Sequence, residues 1–328
     1  GFGVTKLATT VGGGNAPDVF EMNMENFLAY MLRNACADLS GLVDSANYSE
    51  GTLAAVSADG KLYAVPMSFS TCVLFYNKAL FDQAGVDYPN DSWTWNDAQA
   101  AAEKIAALGD DIWGFYQPIS YNEFYKAVKG NGGSLLNEDY TAFTVNSPEN
   151  VAVLDAMLAR VRGDGHVMPN KEEMAGRGDW DLFTEGKLGM LISGIWGFQT
   201  FSEKCTFDWD IVVEPGYAQK STFFFANVNC VSPSSQKQEA AAKFADAMGS
   251  DPDIVKLRLD ASWELPTIAD QSKLKQYLEV TPPANRKAVF DSMDFAAAPP
   301  ALLEQGAVSE IIGNVLGTLE TNDMTAQE

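Results

Sequence analysis

Residues 60–81 read GKLYAVPMSFSTCVLFYNKALF, and this stretch decides the fold class. Gly60 opens a turn that leads into an extended segment, and the apolar run from Cys72 to Tyr76 follows it. A short apolar run bounded by turn residues is typical of a strand. The stretch therefore predicts a turn, an extended segment and a strand in succession.

Helical patterns lie on both sides of this stretch. Apolar residues at three- and four-residue spacings predict a helix with one buried face, formed by Phe27, Leu28, Met31, Leu32 and Ala35. Three further helix starts carry capping residues or a proline in the first turn: Thr94 before 95–97, Ser147 before Pro148 and Glu149, and Ser235 before 236–248.

Strand candidates alternate with these helices, at 188–192, 210–213 and 222–231. Strands that alternate with helices favour α/β layers. A length of 328 residues suits two domains of about 150 residues each. We therefore expect an α/β protein of two domains, and the absence of a flexible linker predicts that several chain segments cross between them.

The charge excludes one large class of partners. The chain carries 22 basic and 44 acidic residues, a formal net charge of −22, and one histidine. Such a field repels phosphate backbones and anionic lipid surfaces, so nucleic acid is excluded as a partner. The sequence contains no apolar run long enough to span a bilayer.

The motifs for phosphate binding and nucleophilic catalysis are incomplete. Gly12 to Asn15 form a glycine-rich turn, but no Gly-Lys-Ser/Thr follows, so we interpret it as a connection between a helix and a strand. His166 lies in a loop-like run, and the chain has no Gly-x-Ser-x-Gly motif for a triad. Four cysteines occur without a Cys-x-x-Cys motif, which gives no zinc or redox signature.

Paired carboxylates are harder to exclude, because many acidic side chains could meet in space. The pairs Asp179/Asp181 and Asp251/Asp253 are interpreted as solvated loop and cap residues. A glycan-processing enzyme that uses two carboxylates remains a rival hypothesis.

Aromatic residues give a stronger signal. Trp196 follows an apolar strand and stands between Gly194 and Gly197, which suggests an indole without local cover. An aromatic face in a cleft can stack on the C–H face of a sugar ring. A core tryptophan is the alternative, whereas Trp93 and Trp95 favour packing at a helix start.

Several segments stand in an order that covers nearly the whole chain: 6–19, 60–66, 74–81, 84–86, 92–95, 183–190, 194–196, 231–235 and 265–267. In this order they resemble the extracellular solute-binding proteins of carbohydrate ABC transporters, the family that includes the maltodextrin-binding proteins. Members of that family begin with a strand, a helix and a second strand before the Lys6 segment and end with a longer last helix. We expect the chain to lack these two parts.

The resemblance implies a periplasmic-binding-protein-like fold with two α/β lobes, hinge strands and a ligand cleft between the lobes. Crossings near residues 70, 229 and 264 would assign 1–70 and 229–264 to the first lobe, and 71–228 and 265–328 to the second. Cys72 and Cys230 would then lie on neighbouring hinge strands, so the resemblance also allows a disulfide between them.

The resemblance implies sugar contacts from both lobes. Trp196 and Tyr121 would cover ring faces, and polar or shape-determining contacts would come from the remaining matched positions, Asn122, Met22, Asn23, Glu25, Ser70, Trp263 and Glu264.

The function implied is capture of a mono- or oligosaccharide and its delivery to the permease subunits of an ABC importer. We expect no catalysis, no cofactor, no metal ion and a monomeric chain. The implied localisation is extracytoplasmic, as a cell-surface lipoprotein or a periplasmic protein. A second rival keeps the fold but replaces the sugar with a polyamine or another cation, which the net charge of −22 would favour.

Overall fold

The computed structural model describes residues 4–163, 165–262, 264–268, 272, 274–299, 302 and 304–328. Helices and strands alternate through this part of the chain. The helices are α1 (Val4–Gly12), α2 (Met24–Leu32), α3 (Glu50–Ala55), α4 (Lys78–Ala84), α5 (Trp95–Ala106), α6 (Tyr121–Gly130), α7 (Pro148–Val161), α8 (Asp179–Thr184), α9 (Phe198–Lys204), α10 (Gln238–Ser250), α11 (Pro252–Ala261), α12 (Leu274–Glu279), α13 (Lys287–Asp291) and α14 (Gln305–Leu319).

The strands are short except for two long ones near residues 70 and 225. They are β1 (Val19–Asn23), β2 (Ser57–Ala58), β3 (Lys61–Leu62), β4 (Val65–Asn77), β5 (Trp113–Tyr116), β6 (Leu188–Gly194), β7 (Trp209–Val212), β8 (Thr222–Val231), β9 (Leu265–Pro266) and β10 (Ala296–Ala297). In the described ranges, no helix is both long enough and apolar enough to cross a membrane.

The chain divides into two compact units. Unit 1 consists of Gly1–Ser70, Phe225–Tyr277 and Ala298–Gly306, and unit 2 of Thr71–Phe224, Leu278–Ala297 and Ala307–Glu328. The division expected from the sequence assigned 225–228, 265–277 and 298–306 to the second lobe, whereas these residues belong to unit 1. The longest of these differences is 265–277. The reason is local: β9 pairs with β4 in the registers Ser68↔Pro266 and Phe69↔Leu265, which keeps this segment in unit 1.

Residues 57–77 form a short hairpin followed by one long strand, β4. Ser57 pairs with Leu62 across a turn at Asp59 and Gly60, whose φ angles are 51° and 74°. Positive φ at both central residues is the requirement of the tight hairpin turn that Asp-Gly sequences favour. The predicted extended segment and strand are continuous in β4, and all of its residues except Phe69 are buried.

The sheet of unit 2 forms around the second half of β4. This part pairs antiparallel with β6 (Cys72↔Gly194 to Tyr76↔Met190) and with β7 (Leu74↔Val212 to Asn77↔Trp209). On the far side of β6, β5 pairs parallel (Trp113↔Leu188). The two strands predicted at 188–192 and 210–213 are therefore confirmed, with boundaries shifted by one or two residues.

An aromatic cluster fills the core of unit 2. The ring of Phe75, on β4, lies 5.2 Å from Phe201, 5.6 Å from Phe198, 5.7 Å from Trp209 and 6.3 Å from Phe183 between centroids. Three of these four pairs are edge-to-face, the arrangement that the aromatic quadrupole favours. The cluster thus joins α8, α9 and β7 to β4.

Unit 1 forms around the antiparallel pair of β1 and β8, which runs from Val19↔Val231 to Asn23↔Asn227. Strand β8 has the bounds predicted from the sequence, 222–231. One face of the pair is apolar and enters a buried cluster with α2 and α10. The cluster includes Phe20, Met22, Phe27, Val228, Cys230, Ala242 and Ala245.

Most predicted helix starts are confirmed. Thr94 and Asp97 form a reciprocal capping box at α5, and α7 begins at Pro148. Helix α10 begins two residues later than expected, at Gln238, because the Ser235 hydroxyl accepts a hydrogen bond from the Lys237 backbone N–H. Asp251 caps α11, which confirms its interpretation as a cap residue.

Helix α2 is shorter than its apolar pattern suggested. It ends at Leu32, and Asn34 takes a φ of 56°, so Ala35 lies beyond the helix. Phe27 is fully buried, but Leu32 is 47% exposed. The predicted buried face of this helix is therefore confirmed at Phe27, and the prediction is wrong at Leu32 and Ala35.

A close contact between α5 and β5 yields a stability prediction. A Cβ atom at Gly114 would lie 2.1 Å from the backbone oxygen of Ala102, so only glycine fits there. We expect Gly114→Ala to lower the free energy of unfolding by about 3 kcal/mol, the upper part of the usual range for overpacking. Urea denaturation measures the change.

Gly51→Ala is the matched control, because a Cβ at Gly51 in α3 meets open space. Alanine favours a helix over glycine, so this variant should be as stable as the parent or slightly more stable. Equal midpoints for both variants would show that the backbone at residue 114 relaxes freely.

Candidate functional site

The alternation of β1 divides its residues between two faces. Phe20 and Met22 are buried, whereas Glu21 and Asn23 are exposed. Met22 is 7% exposed and belongs to the apolar cluster of unit 1. Met22 and Asn23 were both predicted to contact sugar. The structure places Met22 in the core and Asn23 on the opposite, exposed side of β1.

Asn23 also has a local structural role. Its side-chain oxygen accepts hydrogen bonds from the backbone N–H of Asn26 at 3.0 Å and from the Asn26 side-chain amide at 2.8 Å. It is the N-cap of α2, whose first backbone N–H groups need such an acceptor. A substitution at Asn23 would therefore change helix stability together with any ligand contact.

The polar face continues across β8 and onto the segment before β9. Glu21 stands opposite Asn229, and Asn23 opposite Asn227, in the β1–β8 register. The Asn227 amide donates a hydrogen bond of 2.8 Å to Glu264. We call Glu21, Asn23, Asn227, Asn229 and Glu264 the polar face of unit 1.

Glu264 is the most strongly positioned side chain of this face. Besides Asn227, the Ser68 hydroxyl donates to its second carboxylate oxygen, and the Arg258 guanidinium lies 3.7 Å from that oxygen. Its carboxylate is thus held from three different segments of unit 1. The predicted site residue beside it, Trp263, lies outside the described residues.

The charges on this face interact. Desolvation raises the pKa of the Glu21 carboxyl, the Arg258 charge lowers it, and the Glu264 charge raises it. Sequence reasoning identified Glu264 but missed Glu21, Ser68, Asn227 and Arg258. The alternation of β1 pointed to Glu21, whereas the positions of the other three depend on strand pairing and chain crossings that no local pattern shows.

Glu25 lies in the first turn of α2 and is half-buried. Among the described residues, its Oε1 atom is buried and has no hydrogen-bond partner. Burial raises the pKa of this carboxyl above its ordinary value. An unpaired carboxylate of this kind is an expensive group to keep in a protein for stability alone.

Ser70, the last residue of unit 1 in β4, is 1% exposed. Its position along the chain matches the expected first crossing, but its hydroxyl is buried.

In unit 2, the predicted residues Tyr121 and Asn122 open α6. Ser120 caps this helix by accepting a hydrogen bond from the Glu123 backbone N–H. The Tyr121 ring stacks on that of Tyr125, with 6.2 Å between centroids and 26° between planes, and Tyr121 is 7% exposed. Asn122 is half-buried.

A buried charge cluster positions α6. The Lys126 ammonium lies 2.8 Å from Glu123 and 2.5 Å from Glu214, and all three side chains are buried. Thr222 donates to the second Glu214 oxygen at 2.7 Å. Burial alone would lower the pKa of Lys126, but the charges of Glu123 and Glu214 outweigh it and raise that pKa.

Trp196 lies in a single 3-10 turn, Ile195–Gly197, directly after β6, and is half-buried. A Cβ atom at Gly194 would lie 2.1 Å from its ring atom Cζ3. The glycine therefore provides the space against which the indole packs. The expectation that both flanking glycines leave the ring without cover is wrong for Gly194, since the ring lies against that residue.

The features that suggested other chemistry have structural roles. The His166 ring nitrogen lies 3.1 Å from Glu173, and its ring lies 5.4 Å from Trp113. Gly12 ends α1, and the turn after it leads to β1, as interpreted. Across the residues that the structure describes, no group of three His, Cys, Asp or Glu side chains is arranged to hold a metal ion.

Comparison with known proteins adds the family. Residues 3–278 match the model of the bacterial extracellular solute-binding proteins. The chain belongs to this family. The resemblance inferred from the order of the sequence segments is therefore confirmed.

A solved structure of a substrate-binding protein is also similar to this chain. An ABC substrate-binding protein of Listeria monocytogenes, in complex with cycloalternan, is 41% identical and superposes with a TM-score of 0.93. The match covers 98% of this chain and 84% of that one. The expected two-lobed α/β fold is thereby confirmed for this solute-binding protein.

Curated relatives match over shorter regions. A diacetylchitobiose-binding protein of Streptomyces coelicolor is 27% identical over 75% of this chain and 59% of its own length. An arabinooligosaccharide-binding protein of Bacillus subtilis is 25% identical over 57% of this chain and 43% of its own. The chain thus spans about half the length of these relatives.

The unpaired carboxyl of Glu25 yields a prediction about pH. Burial gives the Glu25 carboxyl a higher pKa in the folded protein than in the unfolded chain. The folded protein therefore keeps its full stability below the unfolded pKa, where the carboxyl is protonated in both states. It loses part of that stability as pH rises through the folded pKa and the buried group ionises. Glu25→Gln cannot ionise. We therefore expect this variant to match the parent protein at pH 4 and to be more stable than it at pH 8, as measured by urea denaturation.

Glu138→Gln, at an exposed glutamate, is the control and should keep the same stability difference from the parent at both pH values. If Glu25→Gln also shows a constant difference, the Glu25 carboxylate is solvated in the folded protein.

Proposed function

We propose that this solute-binding protein captures an oligosaccharide outside the cytoplasmic membrane and delivers it to the permease of an ABC importer without changing it chemically. The observation that carries the proposal is the 41% identity, over 98% of this chain, to a protein solved with a bound cyclic oligosaccharide. The binding role of the named relatives supports the proposal that the chain is not an enzyme.

The chemistry of unit 1 supports the same proposal. Sugar hydroxyls both donate and accept hydrogen bonds, so their sites need carboxylates and amides held in place. The polar face of unit 1 offers the carboxylates of Glu21 and Glu264 and the amides of Asn23 and Asn227. We propose that Glu25 and Ser70 also contribute to the sugar site from unit 1, whereas Met22 belongs to the core behind this face.

In unit 2 we propose that Trp196 stacks on a sugar ring and that Tyr121 and Asn122 also contact the sugar. The half-buried indole packs on one side against Gly194, which holds the ring in a defined orientation. A fixed aromatic surface loses little conformational entropy on binding. This is the property that a sugar-stacking residue needs.

A thermal-shift screen tests the function. The panel contains cycloalternan, linear maltodextrins, diacetylchitobiose, arabino- and galactooligosaccharides and free monosaccharides. A ligand present at 100 times its dissociation constant stabilises the folded state by about 2.7 kcal/mol, which raises the Tm of a chain of this length by roughly 4 °C. We expect a shift of this size with at least one oligosaccharide and with no monosaccharide.

Two further arms test the rival hypotheses. Spermidine in the same screen tests the cation hypothesis, and chromatography of each sugar after incubation tests the carboxylate-pair enzyme. A shift with spermidine alone, or new sugar products, would contradict the proposal. An absence of any shift across the panel would contradict it as well.

Trp196→Ala tests the aromatic contact. Loss of an aromatic anchor in a desolvated site costs on the order of 2 kcal/mol, which corresponds to about thirtyfold in affinity. We expect a loss of this size by calorimetric titration with the sugar that the screen identifies. The urea midpoint should change far less than it would on truncation of a core tryptophan, which costs about 3–5 kcal/mol of stability.

Trp180→Ala is the matched control. Trp180 is also half-buried in unit 2, and its ring packs edge-on against Phe201 at 5.1 Å. This variant should lose stability and keep its sugar affinity. If Trp196→Ala behaves in the same way as Trp180→Ala, then Trp196 is a packing residue.

A further inference from the structure

Two of the four cysteines meet in the core of unit 1. Cys36, which follows α2, is 5% exposed, and Cys230, on β8, is fully buried. Both belong to the apolar cluster that contains Phe20 and Phe27. They are far apart in the sequence, so the tertiary structure brings them together.

The backbone holds their two segments side by side. The Ala37 N–H donates a hydrogen bond of 2.9 Å to the carbonyl oxygen of Val231, so the residues that directly follow the two cysteines are bonded to each other. Cys230 is also held in register by its pairing with Phe20 on β1. The cysteine on β8 therefore has a fixed position, and the segment of Cys36 is fixed against it.

Both side chains enter the same buried apolar cluster. Burial raises the pKa of the Cys230 thiol well above its ordinary value, and the hydrogen bond and charge of Cys36 raise it further. Together with the backbone bond between Ala37 and Val231 and the shared apolar cluster, this places the two thiols in one part of the core. In the described structure all four cysteines are free thiols, so the pair is reduced.

We propose that Cys36 and Cys230 form a disulfide when the protein folds in an oxidising compartment. The family is extracellular, and disulfides form and persist in such environments. The inference does not depend on which solute the protein binds. It would add a covalent link between the end of α2 and β8, inside the core of unit 1.

The oxidant is a disulfide, such as that of a thiol–disulfide oxidoreductase or of oxidised glutathione. The thiolate of one cysteine attacks this disulfide and releases one thiol of the oxidant. The second cysteine then attacks the mixed disulfide, and the other thiol of the oxidant leaves. The two protein thiols lose two electrons and two protons in total, and the disulfide of the oxidant gains them.

Burial determines when this reaction occurs. The thiolate is the attacking species, and a buried thiol with a raised pKa provides little of it. Oxidation is therefore expected during folding, before the core closes, and it should be slow in the folded reduced protein. For the same reason the bond would resist reducing agents once it is buried.

The alternative partner, Cys72, has different surroundings. It belongs to unit 2, where burial raises the pKa of its thiol and the neighbouring charges are Lys126, Glu214 and Glu123. The disulfide between Cys72 and Cys230 that the resemblance allowed is not formed in this structure, and Cys230 shares its apolar cluster with Cys36.

The experiment compares protein secreted into an oxidising compartment with protein made in a reducing cytosol. Each sample is unfolded without reductant, labelled with a maleimide at its free thiols and weighed by mass spectrometry. We expect two of the four cysteines to be labelled in the secreted protein and all four in the cytosolic protein. Digestion without reduction should yield a linked peptide pair that contains Cys36 and Cys230.

Variants provide matched controls. Cys72→Ala and Cys205→Ala should keep the cross-link, whereas Cys36→Ala and Cys230→Ala should abolish it. The oxidised protein should melt higher than the reduced one, by on the order of 10 °C, because the bond closes a long loop of the unfolded chain.

Four labelled cysteines in the secreted parent protein, or a cross-link that joins any other pair, would overturn the proposal. This readout uses the parent protein alone, so it holds even if a cysteine variant folds poorly. A cross-link that leaves Tm unchanged would contradict the proposed stabilisation.

Discussion

Strand β4 is the constraint on which the rest of the structure depends. It is buried along nearly its whole length, and its two halves pair with different partners: β9 in unit 1, and β6 and β7 in unit 2. A strand covered on both faces needs an apolar sequence without polar alternation, which the run from Cys72 to Phe75 provides. Phe75 then organises the aromatic core of unit 2 around the strand.

Unit 2 also contains a buried charge cluster whose energetics differ from those of the aromatic core. Removing Lys126, Glu123 and Glu214 from water carries a large desolvation penalty, which their mutual attraction offsets only when the hydrogen bonds are complete. Thr222 and Gln117 complete those bonds at 2.7 and 2.8 Å. The cluster specifies the position of α6, and through it the positions of Tyr121 and Asn122.

In unit 1, a single alternation forms both the core and the polar face. Along β1 and β8, Phe20, Met22, Val228 and Cys230 enter the core, and Glu21, Asn23, Asn227 and Asn229 face the other way. A shift of the register by one residue would exchange the two sets. The pairing that buries Met22 and Cys230 is therefore the same pairing that places Asn227 beside Glu264, so the polar face cannot be formed without the core.

The sequence by itself determined much of the local structure and the family: the turn at Gly60, the Thr94 cap, the bounds of β8 and the order of the matching segments. These depend on residues close together in the chain, so a local pattern reports them. Only the tertiary structure decided that Glu264 is bound by Asn227 and Ser68, that Met22 faces the core, and that Cys230 and Cys36 enter the same core cluster. Each of these contacts joins segments distant in sequence, and strand register and chain crossings, which no short stretch encodes, determine which side chains meet.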